Sequence, residues 1–219
     1  MVVRGQFDFD LNTLREKLIE MGSLTEIALS KAIDALENQN IERALEIMEE
    51  DETVDNLDEE INDLSILLIA KQQPVATDLR RIMVAIKISN EMERMADFAV
   101  NIAKSAIRIG DDPLIKPIET IKSMHSIASE MLSLSIKAFN EEDVVLAKKV
   151  ADMDDQVDDY YGQTIRELLE LTQHSRESMP QITQLLFVSR YLERFADHAT
   201  NISENIFYLV KGRHYDLNN

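Results

Sequence analysis

The chain has 219 residues, 45% of them hydrophobic, a formal net charge of −18, no cysteine, and only five glycines and four prolines. Such a composition supplies a continuous core and favours long unbroken helices, and it excludes disulfides, thiol catalysis and zinc–thiolate sites. The acidic balance, with no sizeable Lys/Arg cluster, argues against nucleic-acid binding, which needs a basic patch to displace counter-ions; the charge serves solubility, or it attracts cations.

Apolar residues recur at helical spacing almost throughout. Leu11, Leu14, Leu18, Met21, Leu24, Leu29, Ile33 and Leu36 predict a first helix over about residues 8–38. Asn40 offers an N-cap for a second helix, marked by Ile41, Leu45, Met48, Val54, Leu57, Ile61, Leu64 and Leu68 and ending near Lys71. Gln72-Gln73-Pro74 breaks it, and a third helix runs from about Val75 to Ile109, stopped by Gly110-Asp111-Asp112-Pro113. A fourth is expected over about 117–140, with Pro117 in its first turn. Asp143 then caps a fifth, and a looser loop from Gln173 to Pro180 leads to a sixth that ends near Gly212. Strand signals are absent. No apolar run approaches the ~18 residues of a membrane span, and no charged-then-apolar leader stands at the N-terminus.

The same events occur twice. Met124, Ile127, Leu132, Ile136 and Phe139 echo Met21, Leu24, Leu29, Ile33 and Leu36 at an offset of 103. Residues 88–106 and 188–206 match at an offset of 100, with eight of 19 positions identical. The change of offset places an insertion or deletion in the loop before helix six, where connections tolerate it. The expected fold is all-α: two tandem, pseudo-symmetric three-helix antiparallel bundles, residues 1–111 and 112–219. A repeat of about 100 residues is too long for a helical solenoid.

The identities between the two long repeats are mostly polar: Glu93/Glu193, Arg94/Arg194, Asp97/Asp197 and Asn101/Asn201. On a helix, residues four apart share a face, so each copy presents a glutamate, an aspartate and an asparagine as a ladder of oxygens. The middle helices carry a second pair each, Asp51/Asp55 and Asp154/Asp158, in register at the offset of 103. Such pairs are ordinarily a solvated face. Two points favour a cation site here. Like charges four apart destabilise a helix by a few tenths of a kcal/mol per pair. Moreover, Asp51 (after Ile47, before Val54) and Asp154 (beside Val150, Ala151 and Val157) fall at the edge of the apolar seam, where crowded carboxylates raise one another's pKa unless a cation neutralises them.

Carboxylates plus an amide oxygen suit hard cations such as Mg²⁺, Ca²⁺, Mn²⁺ or ferric iron. None of His125, His174, His198 and His214 follows a glutamate by three residues, so the Glu-x-x-His motif of ferritin-type oxidases is missing. His198 reads as a seam or surface histidine, and Gly22 and Gly162, isolated within helices, suggest close helix packing. Lys71 to Arg81 sets bases beside a loop and reads equally as an anion or partner contact and as a helix stop followed by a helix start.

Three stretches carry a resemblance: Gln73-Pro74-Val75-Ala76-Thr77-Asp78-Leu79-Arg80, Glu93-Arg94-Met95-Ala96-Asp97-Phe98-Ala99-Val100-Asn101-Ile102, and Glu193-Arg194-Phe195-Ala196-Asp197-His198-Ala199-Thr200-Asn201-Ile202. Together they resemble the PhoU family of phosphate-transport accessory and signalling proteins, over essentially the whole chain. Family members often have glycine where this chain has Ala96 and Ala196, a small residue that keeps close helix packing. The resemblance implies two three-helix bundles in a cytoplasmic, often dimeric protein that is not an enzyme. It further implies multinuclear iron or another hard metal held by Asp51, Asp55, Glu93 and Asp97 in one half and by Asp154, Asp158, Glu193 and Asp197 in the other, with Asn101 and Asn201 as additions. The implied partners are the ATPase subunit of a phosphate ABC transporter and a sensor histidine kinase, the implied action repression of phosphate-starvation genes. The alternative is a metal-dependent carboxylate-bundle enzyme, an oxidase or phosphohydrolase; the missing Glu-x-x-His and the lack of any nucleophile–base pair oppose it.

Overall fold

A computed structural model of the chain describes residues 2–172 and 176–217, with side chains from Gly5 onward. It contains six helices: α1 (Val2–Glu37), α2 (Ile41–Gln72), α3 (Thr77–Ile109), α4 (Glu119–Glu141), α5 (Val144–Thr172) and α6 (Met179–Lys211). No strand occurs among the described residues, and no helix among them is long and apolar enough to cross a membrane.

Two helix starts, those of α2 and α5, follow the capping chemistry. Asn40 Oδ1 accepts the Arg43 N–H at 3.0 Å, and Asp143 Oδ1 accepts those of Val145 and Leu146 at 2.7 and 3.2 Å, each satisfying first-turn donors that have no partner within the helix. Four boundaries differ from the sequence expectation. Helix α1 begins six residues earlier, because Phe7 extends the apolar stripe of Leu11 and Leu14 by one turn and packs on the core. Helix α3 begins at Thr77, because Ala76 has φ 49° and ψ −113°, a backbone that a residue with a Cβ rarely adopts and through which no helix can run. Helix α4 begins at Glu119 and leaves Pro117 in the connection; there Gln181 of α6 ties the segment down, its Oε1 accepting the Ile115 N–H at 2.6 Å and its Nε2 donating to the Pro113 carbonyl at 3.2 Å. Pro180 lies in the first turn of α6, where its missing N–H costs nothing. The expected loop therefore ends sooner; its residues 173–175, His174 included, lie outside the described residues.

Helices α1–α3 form one bundle and α4–α6 the other. The two are joined side by side through α3 against α6 and α1 against α4, while α2 touches only α1 and α3, and α5 only α4 and α6, among the described residues. A single core runs through both, from Leu18, Met21 and Leu29 through Met92, Met95 and Ile102 to Met131, Leu132 and Phe195. Two buried hydroxyls are satisfied within their own helices: Ser89 and Ser189, identical in the two halves, each donate to the carbonyl three residues back at 2.9 Å.

Gly22 has a packing reason. A Cβ there would lie 2.0 Å from Ile136 Cδ1 and 3.3 Å from Met92 Sδ, so the bare backbone lets α1 cross α4 and α3 at close range. Gly162 does not bear out the same reading: a Cβ would meet only the flexible end of Arg166, at 3.4 Å.

Candidate metal centre

Because α2 and α5 flank the molecule, the α2/α3 and α5/α6 seams open outward at opposite edges. The sequence-predicted acids fall on these seams. In the first, half-buried Asp51 and exposed Asp55 of α2 face half-buried Glu93 and exposed Asp97 of α3. In the second, half-buried Asp154 and exposed Asp158 of α5 face Glu193 and Asp197 of α6, both half-buried.

The electrostatics are those of crowded carboxylates beside an apolar wall. Burial, with Asp55 and Asp97 adding repulsion, pushes Asp51 up to about 6, opposed weakly by Lys104. A cavity of about 340 Å³ between α1 and α2 borders Asp51, lined by Leu24, Ile27, Ala28, Ile47 and Val54 and by the charged Lys31 and Glu50. Burial and then Asp197, Asp158 and Glu193 push Asp154 up to about 7. Asp55, Glu93, Asp158, Glu193 and Asp197 are raised as well, each chiefly by desolvation.

The seams fit a hard cation in donor type and in charge. Glu193 Oε2 is buried with no hydrogen-bond partner among the described residues, and an unmatched buried carboxylate oxygen is costly unless a cation or donor reaches it. The carboxylates line opposed rows without converging: among the described residues no group of three or more acidic or histidine side chains is already arranged to hold an ion. The side chains would have to draw together around a cation.

The structure also places residues for which the sequence pattern gave no role. Arg190 Nη1 donates to Glu193 Oε1, an i,i+3 pairing that could have been found from spacing alone. Asp58, one turn beyond Asp55, adds its charge to Asp55 and Glu93. Glu91 reaches across the α3/α6 contact, with Oε2 2.5 Å from His198 Nδ1 and accepting a hydrogen bond from the side-chain Nδ2 of Asn201 at 3.1 Å. His198 thus lies in the contact between α3 and α6, outside the two acidic seams. The Asn201 amide is engaged by Glu91 through its nitrogen, and Asn101 stands at the matching half-buried position of α3.

The PhoU domain model matches the chain twice, over residues 18–106 and 121–206. The chain belongs to the PhoU family. It is 37% identical over 218 residues to the PhoU homolog of Clostridium acetobutylicum, covering 99% of this chain and all of that one, and 41% identical over 203 residues to the homolog of Aquifex aeolicus, covering 93% and 92%. Both relatives are described as phosphate-specific transport system accessory proteins. The crystal structure of the phosphate transport system regulatory protein PhoU from Streptococcus pneumoniae superposes with a TM-score of 0.90 at 30% identity, over 96% of this chain and 99% of that one. The two-bundle PhoU architecture expected from the repeat is the architecture of the molecule.

Proposed function

We propose that this PhoU protein is a non-enzymatic regulator of phosphate uptake and phosphate-starvation signalling, acting in the cytoplasm as a metal-binding adaptor between the ATPase subunit of a phosphate ABC transporter and a sensor histidine kinase. The observation that carries it is end-to-end similarity to accessory proteins of phosphate-specific transport systems, in a chain whose eight paired acids lie on two matching seams. We assign the functional repeats as residues 1–111 and 112–219, and the working form as a homodimer. Asp51, Asp55, Glu93 and Asp97 would hold the first ion or cluster, and Asp154, Asp158, Glu193 and Asp197 the second. A bound hard cation, whether iron, Mn²⁺, Mg²⁺ or Ca²⁺, supplies positive charge that cancels the carboxylate repulsion.

The chain's own residues then do the rest. With repulsion cancelled, α2 is held against α3 and α5 against α6, and the outer faces of α2 and α5 become fixed surfaces for partners. Without it, the carboxylates of each seam repel one another. The test is metal analysis of protein purified without chelators, followed by capture of the transporter ATPase subunit and of the kinase by wild type and by an Asp97→Ala/Asp197→Ala double variant. The variant is expected to lose metal and to bind both partners more weakly. Loss of metal with unchanged capture would sever the link between the seams and the adaptor role, and phosphate-ester turnover or ferrous-iron oxidation by loaded protein would restore the enzyme reading.

A further inference from the structure

The two seams are built from the same four acids, yet their nearest cations differ. In the second seam Arg190, seven residues before Asp197, is ion-paired to Glu193, and its charge also bears on Asp158 and Asp197. Its side chain is 48% exposed and that of Glu193 13%, so the guanidinium reaches in from solvent to a nearly enclosed carboxylate. The other oxygen of that carboxylate, Oε2, is the one with no partner. In the first seam the equivalent position, at the repeat offset of 100, is Asn90, which carries no charge. The cations there are Lys104, which acts on Asp51, and Arg94, which acts on Glu93; both act through space and neither makes an ion pair among the described residues.

We infer that Arg190 is a tethered counter-ion that competes with a bound cation for Glu193, so that the two seams fill at different cation concentrations, the first before the second. This rests on the metal reading of the seams given above. An arginine attached to the same helix is present at a fixed, high local concentration, and its hydrogen bond to a carboxylate is charge-assisted. A cation entering the second seam must displace that bond; one entering the first has no such competitor. Arg190 also sits on the exposed side of the pair, so on displacement its charged end moves into water at little cost. The consequence for an adaptor is two thresholds within one chain: α3 is fixed to α2 at lower cation levels, and α6 to α5 at higher ones.

The test uses the full chain and Mn²⁺ alone, with binding isotherms by calorimetry and free Mn²⁺ followed by electron paramagnetic resonance. Wild type is expected to bind in two classes. Asp51→Asn/Asp97→Asn should remove the tighter class, and Asp154→Asn/Asp197→Asn the weaker. Arg190→Gln should tighten the weaker class about 1.5- to fivefold, the range for losing one partly exposed ion pair, with the tighter class unmoved. Asn90→Arg should weaken the tighter class by a similar factor. Both substitutions are at exposed positions, and unchanged circular dichroism and melting of the metal-free proteins checks the fold. Two classes that neither substitution shifts, or a tighter class that belongs to the second seam, overturns the role of Arg190 and leaves the metal reading standing. Failure of wild type to bind Mn²⁺ at either seam overturns both.

Discussion

The outer seams and the central joint of this molecule use the internal repeat in opposite ways. At the seams the two halves present the same side chains at the same register, Glu93 with Asp97 and Glu193 with Asp197. At the joint, where α3 meets α6, the same positions of the repeat face each other and have become different. Glu91 lies 2.5 Å from His198. The pair related to it by the repeat offset, Tyr191 with Phe98, is an aromatic stack with centroids 6.2 Å apart and ring planes 18° from parallel. Between them, Phe98 and His198 touch each other at 5.4 Å. The second joint, α1 with α4, is likewise uneven: Gly22 has no side chain, and its equivalent His125 is a mostly buried imidazole held below its ordinary pKa by desolvation. A duplicated bundle that stayed identical at its joint could pair as readily with another chain as with its own second half. Dissimilar contacts specify one partner, so identity is kept where like chemistry is needed and lost where docking is decided.

Overfilling the joint breaks that arrangement most severely. Gly22→Leu should destabilise the protein by about 3 kcal/mol, the upper part of the range for overpacking, because even a Cβ at Gly22 would fall 2.0 Å from Ile136 Cδ1. Urea unfolding measures it, and Ile136→Ala in the same chain should recover part of the loss. If the single variant melts like wild type, α1 does not cross α4 as described.

Removing the polar side of the joint should cost less. Glu91→Ala leaves His198 and Asn201, both half-buried, without their shared carboxylate, for an expected loss of about 1–2 kcal/mol. Tyr191→Phe on the aromatic side keeps the stack and should stay within about 0.5 kcal/mol of wild type. Equal losses at the two positions would mean that the joint treats its polar and aromatic sides alike.

The seams are best probed by pH. Asp154 and Asp51 are held at about 7 and about 6 in the fold, above the ordinary 3.8 of an unfolded aspartate. Between about pH 4 and pH 7 the folded state therefore keeps protons that the unfolded state has released, and linkage makes stability fall as pH rises through that window. Asp154→Asn should flatten the decline up to about pH 7, and Asp51→Asn over a window that closes near pH 6. Mn²⁺ should flatten it for wild type, raising the melting temperature more at pH 7 than at pH 5. A melting temperature that rises with pH at the same rate in wild type and both variants would contradict the burial of these acids.

Much of this was legible in the sequence, for reasons that separate local from tertiary physics. The six helices follow from apolar spacing and from caps such as Asn40 and Asp143, which act within one turn. The seam acids follow because duplication tied Asp51 to Asp154 and Asp97 to Asp197, and spacing of four fixed their faces. The positive φ of Ala76 was hidden because nothing in the residue type requires it; alanine is a good helix former, and only the surrounding chain imposes that backbone. Glu91 with His198 was hidden because their contact joins residues 107 positions apart, on helices whose crossing no periodicity states.

Gly22 and Gly162 looked equivalent in the sequence, and the smallest expected effect separates them. At Gly162 a methyl group meets only Arg166 Nη1 at ordinary distance and the backbone is helical, so Gly162→Ala removes the entropy cost of a mid-helix glycine without a clash. Stability should rise by about 0.5–1 kcal/mol, opposite in sign to any substitution at Gly22 and independent of the seams, since Mn²⁺ binding should not change. A loss instead would mean that something in the working assembly, such as a second copy or a bound partner, approaches α5 closely at that turn. The contrast between a glycine that admits a neighbouring helix and one that admits nothing would then have to be redrawn.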